Sequence, residues 1–284
     1  MKVFADADAY LGSSDARFFS SGYKKVNYQL ADETILNKSY SANLRLLYPK
    51  DWSVKKKNRL PPHLSSIDVM LMSARSCGEI LASRSKEKFE ISQMTIRAST
   101  KPLEDLNNVR IIFDIISESE NTIMFVGKVG NMNVDLEVTN RENNDLQLSS
   151  NFSTEGFKNS RQSIENIRLN NKLESEAIVI KTVNGEICEH IDYIDAFVSG
   201  LQLGQILLYE LDDVTREESN NLWMRNVNFK SSPKGNAYLN NNLEVFLENI
   251  NLIKKDNTEW RSADIVANLK NIQFRCSITH QLNR

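Results

Sequence analysis

Cysteine, histidine and net charge are all scarce in this chain of 284 residues, and each scarcity closes off a class of function. The three cysteines, Cys77, Cys188 and Cys276, are odd in number, far apart and without a C-x-x-C spacing. They read as reduced thiols of a cytoplasmic protein, not as a disulfide framework. With only three histidines and no ligand cluster, no metal or other cofactor is expected. Lysine and arginine number 35 against 37 acidic residues, a formal net charge of −2 that gives no electrostatic case for nucleic acid. No apolar run approaches the roughly 20 residues of a membrane span. The N-terminus, Met1-Lys2-Val3-Phe4-Ala5-Asp6-Ala7-Asp8, has acidic residues where a signal peptide needs its apolar stretch. No membrane association is therefore expected.

The chain does contain a repeat. His63-Leu64-Ser65-Ser66-Ile67-Asp68 recurs as His190-Ile191-Asp192-Tyr193-Ile194-Asp195, with His and Asp both displaced by 127 residues. That period is far above the roughly 20 to 50 residues of solenoid arrays, so it predicts two duplicated domains. Each copy opens an apolar stretch of helical periodicity, residues 69–81 and 196–209, as a buried helix should. Ser65 or Ser66, and Asp192, are the candidate N-caps, because their side-chain oxygens can accept from the free amides of a first helical turn.

Beyond each helix the period changes from 3.6 to 2. Alternating residues 89–98 stop near Pro102, and 222–230 stop near Pro233. Further strands are predicted at 109–116 and at 122–138, the latter broken at Gly130, and in the second half at 243–253 and 265–278. Upstream of the helices, strands are predicted at 24–29, 42–48 and 177–182. With 40% hydrophobic residues, the chain has ample length for two cored domains. One long buried helix per half with an antiparallel sheet to wrap it is an α+β hot-dog layout, and the repeat implies a tandem, or double, hot-dog. The expected boundaries are 1–142 for the first domain, 143–162 for an Asn/Ser/Glu-rich linker and 163–284 for the second.

Helical spacing groups the candidate site residues. Asp68, Met72, Arg75 and Glu79 share one face of the first helix, and Asp195, Ser199 and Gln202 share one face of the second. Such a stripe needs either a buried network or a ligand, since leaving a polar group unpaired costs about 1–3 kcal/mol. One reading makes Asp68 and Asp195 catalytic with His63 and His190, and Arg75, Ser199 and Gln202 substrate-binding. The other makes the two Asp residues structural caps, pairs Arg75 with Glu79, and leaves the histidines as satisfied loop residues. The basic run Lys55-Lys56-Lys57-Asn58-Arg59 is either a solvated loop or a dock for an acidic phosphopantetheine carrier.

His190-x-x-x-Ile194-Asp195-Ala196 resembles the H-P-x-L-L-D-A motif of polyketide synthase dehydratase domains, with Ile191 in the Pro position. The resemblance implies that His63 of one half works with Asp195 of the other. The dehydratase motif H-x-x-x-G-x-x-x-x-P is absent, since Ile67 stands four residues after His63. A second resemblance covers more of the chain. Residues 10–26, including Arg17-Phe18-Phe19 and Gly22-Tyr23, together with Pro62-His63-Leu64-Ser65-Ser66-Ile67-Asp68, are similar to the avirulence protein D family of syringolide-forming enzymes. That likeness implies an acyltransferase or condensing enzyme of secondary metabolism. It would join a 3-oxoacyl thioester, carried on an acyl carrier protein or CoA, to a pentulose-like acceptor and close a butenolide.

A His and an Asp facing one cavity suit that chemistry, the His as base for a hydroxyl or an acidic carbon and the carboxylate to orient it. Free helix-start amides would receive the oxyanion. Two other classes stay open: a hot-dog thioesterase or dehydratase, and a non-catalytic acyl-binding module. The duplication is compatible with a monomer or a homodimer.

Overall fold

The computed structural model describes residues 1–50, 52, 54, 55, 58, 59, 61–85, 89–140, 156–219, 222–232, 241–255 and 258–282. The side chains of the basic run at 55–59 and most of the expected linker, residues 143–155, lie outside that description. Strand β1 (Lys2–Asp6) leads into a short helix α1 (Ala7–Leu11), then two 3₁₀ turns, β2 (Asn27–Leu36), β3 (Ser39–Leu47) and a small hairpin, β4 (Val54–Lys55) and β5 (Asn58–Arg59). Helix α2 (Ser66–Ser83) follows, then β6 (Phe89–Arg97), β7 (Val109–Glu118), β8 (Thr122–Val129) and β9 (Met132–Asn140). The second half runs β10 (Ser160–Leu169), β11 (Glu174–Val183), β12 (Glu186–Ile187), α3 (Tyr193–Asp212), β13 (Trp223–Ser231), β14 (Asn242–Lys255), β15 (Thr258–Leu269) and β16 (Ile272–Leu282).

The duplication is visible in the strand order. Within one continuous antiparallel sheet the first half is ordered β2-β3-β7-β8-β9-β6 and the second β10-β11-β14-β15-β16-β13, the same arrangement twice. The halves join where the equivalent strands β6 and β13 pair, from Gln93↔Lys230 to Arg97↔Asn226. Helix α2 packs on β2, β3 and β6 to β9, and α3 on β10, β11 and β14 to β16. The apolar periodicity of both stretches thus becomes burial. Val69, Met70, Cys77 and Ile80 are fully buried on α2, and Phe197, Val198, Leu203, Ile206 and Leu207 on α3.

The third helix, α1, was not anticipated, nor was β1, which pairs with β10 and adds an edge to the second half's sheet. The expected linker end at residue 162 falls inside β10, which starts at Ser160. The predicted strand 265–278 is two strands with a turn at Lys270, whose φ of 54° departs from extended backbone. The expected break at Gly130 is the β8–β9 turn, where φ is 56°. Lys24 and Lys25, predicted to open a strand, close a 3₁₀ turn instead.

Candidate functional site

The two helix starts are built alike. Ser65 is the N-cap of α2 and Asp192 of α3, and each closes a capping box with an aspartate three residues on. The Asp68 carboxylate accepts from the Ser65 amide at 2.8 Å, the Ser65 hydroxyl at 2.7 Å and the Tyr28 hydroxyl at 2.7 Å, with the Tyr48 hydroxyl also donating to it. Burial pushes the Asp68 carboxyl up, against these hydrogen bonds. The Asp195 carboxylate accepts from the Asp192 amide at 3.0 Å, from Gln162 and from the Lys181 ammonium. Tyr28 and Gln162 stand on the first strand of each unit, while Tyr48 and Lys181 lie just after or on the second. The donor positions are therefore duplicated while their chemistry has diverged. Burial, with Asp192 adding to it and Lys181 opposing, pushes the Asp195 carboxyl up to about 7. Burial works against the Lys181 ammonium, but Asp192 and Asp195 outweigh it and hold its pKa above the usual value.

A cavity of about 400 Å³ opens where the halves meet the N-terminal segment. One wall is Arg17, Phe18 and Phe19. These are seated because Gly22 lets the chain pass Trp52, whose carbonyl oxygen would lie 2.6 Å from a Cβ at that position. Helix α2 contributes Ser65 and Ser66 at its start, with His63 just before it. Helix α3 contributes Gln202, Gln205 and Tyr209, and Trp223, Arg225 and Trp260 complete the far side. Gln202 accepts from Arg17 at 2.7 Å and donates to the Phe19 carbonyl at 3.0 Å, fixing the segment to α3.

The His63 ring lies between two indoles, 5.6 Å from Trp52 at 85° and 5.6 Å from Trp223 at 35°. Its Nδ1 is 3.3 Å from the Pro61 carbonyl, which can only accept, so Nδ1 carries the proton and Nε2 is the basic nitrogen. The capping box uses the Ser65 and Asp68 amides, and no hydrogen bond among the described residues takes up those of Ser66 and Ile67.

Of the expected site residues, only His63 and Gln202 line this cavity. The expected meeting of His63 with Asp195 is not observed: Asp195 is held by its own cap, Gln162 and Lys181, and both aspartates serve as capping-box residues. Arg75 pairs with Glu33 at 3.2 Å and Glu79 at 3.6 Å away from the cavity, the helical i,i+4 partner foreseen in the alternative reading. Ser199 is fully buried, its hydroxyl without a partner among the described residues. His190 is exposed and not part of the cavity wall.

The residues missed were Arg17, Trp52, Arg216, Trp223 and Arg225. Trp223 and Arg225 lie in the alternating stretch 222–230 but nothing there marks them as site residues, and Arg17 sits in the segment that carried the family resemblance. His280, which showed no partner signature, is fully buried with Nε2 3.1 Å from Asp212. Arg261 also holds Asp212, at 2.9 Å through Nε. Burial alone would raise the Asp212 carboxyl, but His280 and Arg261 together keep it below the ordinary range.

Two equivalent helix-on-sheet units with a cavity at their junction define a tandem-repeat protein whose candidate site is assembled from both halves and the N-terminal segment. The chain belongs to the family described as Pseudomonas avirulence D protein (AvrD), whose sequence pattern matches residues 2–161 and 151–283. No curated protein shows significant sequence similarity to it. Among solved structures, a putative thioesterase II of Thermobifida fusca aligns with 95% of this chain and 98% of its own, at 8% identity and a TM-score of 0.48. A TesB protein of Mycobacterium avium subsp. paratuberculosis aligns with 89% and 96%, at 8% identity and 0.46. A hot-dog-fold protein of Alicyclobacillus acidocaldarius aligns with 94% and 98%, at 7% identity and 0.44.

Proposed function

We propose that the protein is a double hot-dog enzyme that transfers a 3-oxoacyl group from a CoA or acyl-carrier thioester to a hydroxyl of a pentulose-like acceptor and closes the product to a butenolide. Family membership supports the reaction class. The observation that carries the residue assignment is the cavity wall: His63 contributes an imidazole to it, and no Asp or Glu side chain stands in it among the described residues.

In this reading the Nε2 atom of His63 takes the acceptor hydroxyl proton as that oxygen attacks the thioester carbonyl. The Ser66 amide at the start of α2 receives the developing oxyanion. The imidazolium then returns its proton to the departing thiolate. The same nitrogen next removes a proton from the carbon between the two carbonyls. That carbon attacks the acceptor ketone, and water is lost. The aromatic wall of Phe18, Phe19, Trp52 and Trp223 holds the acyl chain and excludes bulk water. Asp68 and Asp195 act at a distance by fixing the two helix starts.

Mass spectrometry of lipophilic extracts from a host expressing the protein, against an empty host, should reveal a new acylated product. His63→Ala should abolish it while leaving the thermal midpoint within a few degrees, because a general base contributes about 10²–10⁴ to rate and little to packing. Release of free fatty acid with no new product would instead identify a hydrolase. Unaltered production by His63→Ala would remove the assignment.

A further inference from the structure

The cavity described above is unevenly charged in a chain that is almost neutral. Arg17, Lys101, Arg216 and Arg225 all stand in its wall, and no carboxylate does among the described residues. Among the described residues Lys101, Arg216 and Arg225 form no ion pair; Arg216 donates to the Ala16 carbonyl at 3.4 Å and Arg225 to the Ser99 carbonyl at 3.5 Å. Arg17 is buried and bonded to Asp8 and Gln202, yet its Nε has no partner among the described residues. Burial weakens its hold on the proton, Asp8 opposes this, and the positive charge of Arg216 weakens it further. Cations gathered in a concave, partly apolar site repel one another and are costly to desolvate, so an arrangement of this kind is stabilised by a bound anion. Guanidiniums in particular match the geometry of a phosphate.

We infer that this cavity binds a phosphate-bearing ligand, with Arg216 and Arg225 as its more exposed cationic contacts and Arg17 as the buried one. The inference deepens the proposed reaction by giving its substrate a phosphate, carried either by the ketose acceptor or by the CoA end of the thioester. Binding is read without turnover, so it fails or stands separately from the chemistry.

Calorimetric titration of the full chain with a pentulose phosphate, the unphosphorylated pentulose, CoA and pantetheine tests it. At least one phosphorylated probe should bind about 10-fold or more tightly than its phosphate-free counterpart, with affinity falling as salt rises. Preference for the sugar phosphate places the phosphate on the acceptor, and preference for CoA places it on the thioester. Arg216→Gln and Arg225→Gln lie at the cavity rim, where folding should be unaffected, and each should weaken the phosphorylated probe about 10-fold. Equal affinity for phosphorylated and unphosphorylated probes overturns the inference, as does phosphate binding that neither substitution changes.

Discussion

Asp195 and Asp68 occupy the same position in the two halves, and burial raises both carboxyls, with the pH window defined at Asp195. Its folded pKa, pushed up to about 7 by burial, lies above the ordinary carboxylate value near 3.8. Between those two values the unfolded chain has released a proton that the folded one still holds. Stability should therefore fall as pH rises from about 4 to about 7, with the favourable contribution complete only below the unfolded value. Denaturant unfolding across that window should show this decline for the native chain and a shallower one for Asp195→Asn, whose side chain does not titrate. Identical slopes would mean that the Lys181 ammonium keeps Asp195 ionised throughout. The repeated aspartates were legible in the sequence because capping needs a short acceptor at a fixed distance from the helix start. Their donors, Tyr28, Tyr48, Gln162 and Lys181, lie on or just after strands 14 to 40 residues upstream, beyond the reach of any helical or capping spacing, and leave no local pattern. For the same reason the His63–Asp195 pairing, carried over from other tandem proteins, failed.

At the level of elements, both long helices were readable from periodicity, and their seating was not. Helix α3 approaches its sheet so closely that a Cβ on Gly200 would lie 2.6 Å from the Phe274 ring, and one on Gly204 2.7 Å from Ile265. Gly200→Ala improves intrinsic helix propensity by up to about 1 kcal/mol. Overpacking a closed core costs about 1–3 kcal/mol, so the substitution should still destabilise the protein, by up to about 2 kcal/mol net; a raised thermal midpoint would show that the helix can shift outward. At the start of α2, Ser65→Ala removes both the cap and a donor to buried Asp68, so a loss of about 1–2 kcal/mol is expected in urea unfolding. No loss would mean that the tyrosines alone hold Asp68. The two-residue turn Lys270-Asn271, which has no glycine, hides the hairpin between β15 and β16, and β10 begins within what composition marks as linker.

On the scale of the whole molecule, the seam between β6 and β13 makes the two units one sheet, and β1 crosses from the N-terminus to the far edge of the second unit. Lys2 and Tyr10 both reach Glu210 on α3, at 2.5 and 3.0 Å, so the crossing is tied down by side chains as well as by backbone. Cutting the chain between the units would leave β6 and β13 as bare edges, and such edges pair with other chains unless they are covered. The first fragment would also carry β1 without β10, and the second would lose Arg17, the partner of Gln202. Fragments 1–150 and 151–284 should therefore aggregate when made separately and recover solubility when co-expressed. The intact chain should unfold in one transition seen alike by tryptophan fluorescence and far-ultraviolet circular dichroism. A soluble monomeric half, or two resolved transitions, would show that each unit's own core suffices. In that event the cavity at the junction would be a contact between independent domains, and its geometry would have to come from the side-chain links across it, Arg17–Gln202 and Gln202–Phe19 among them.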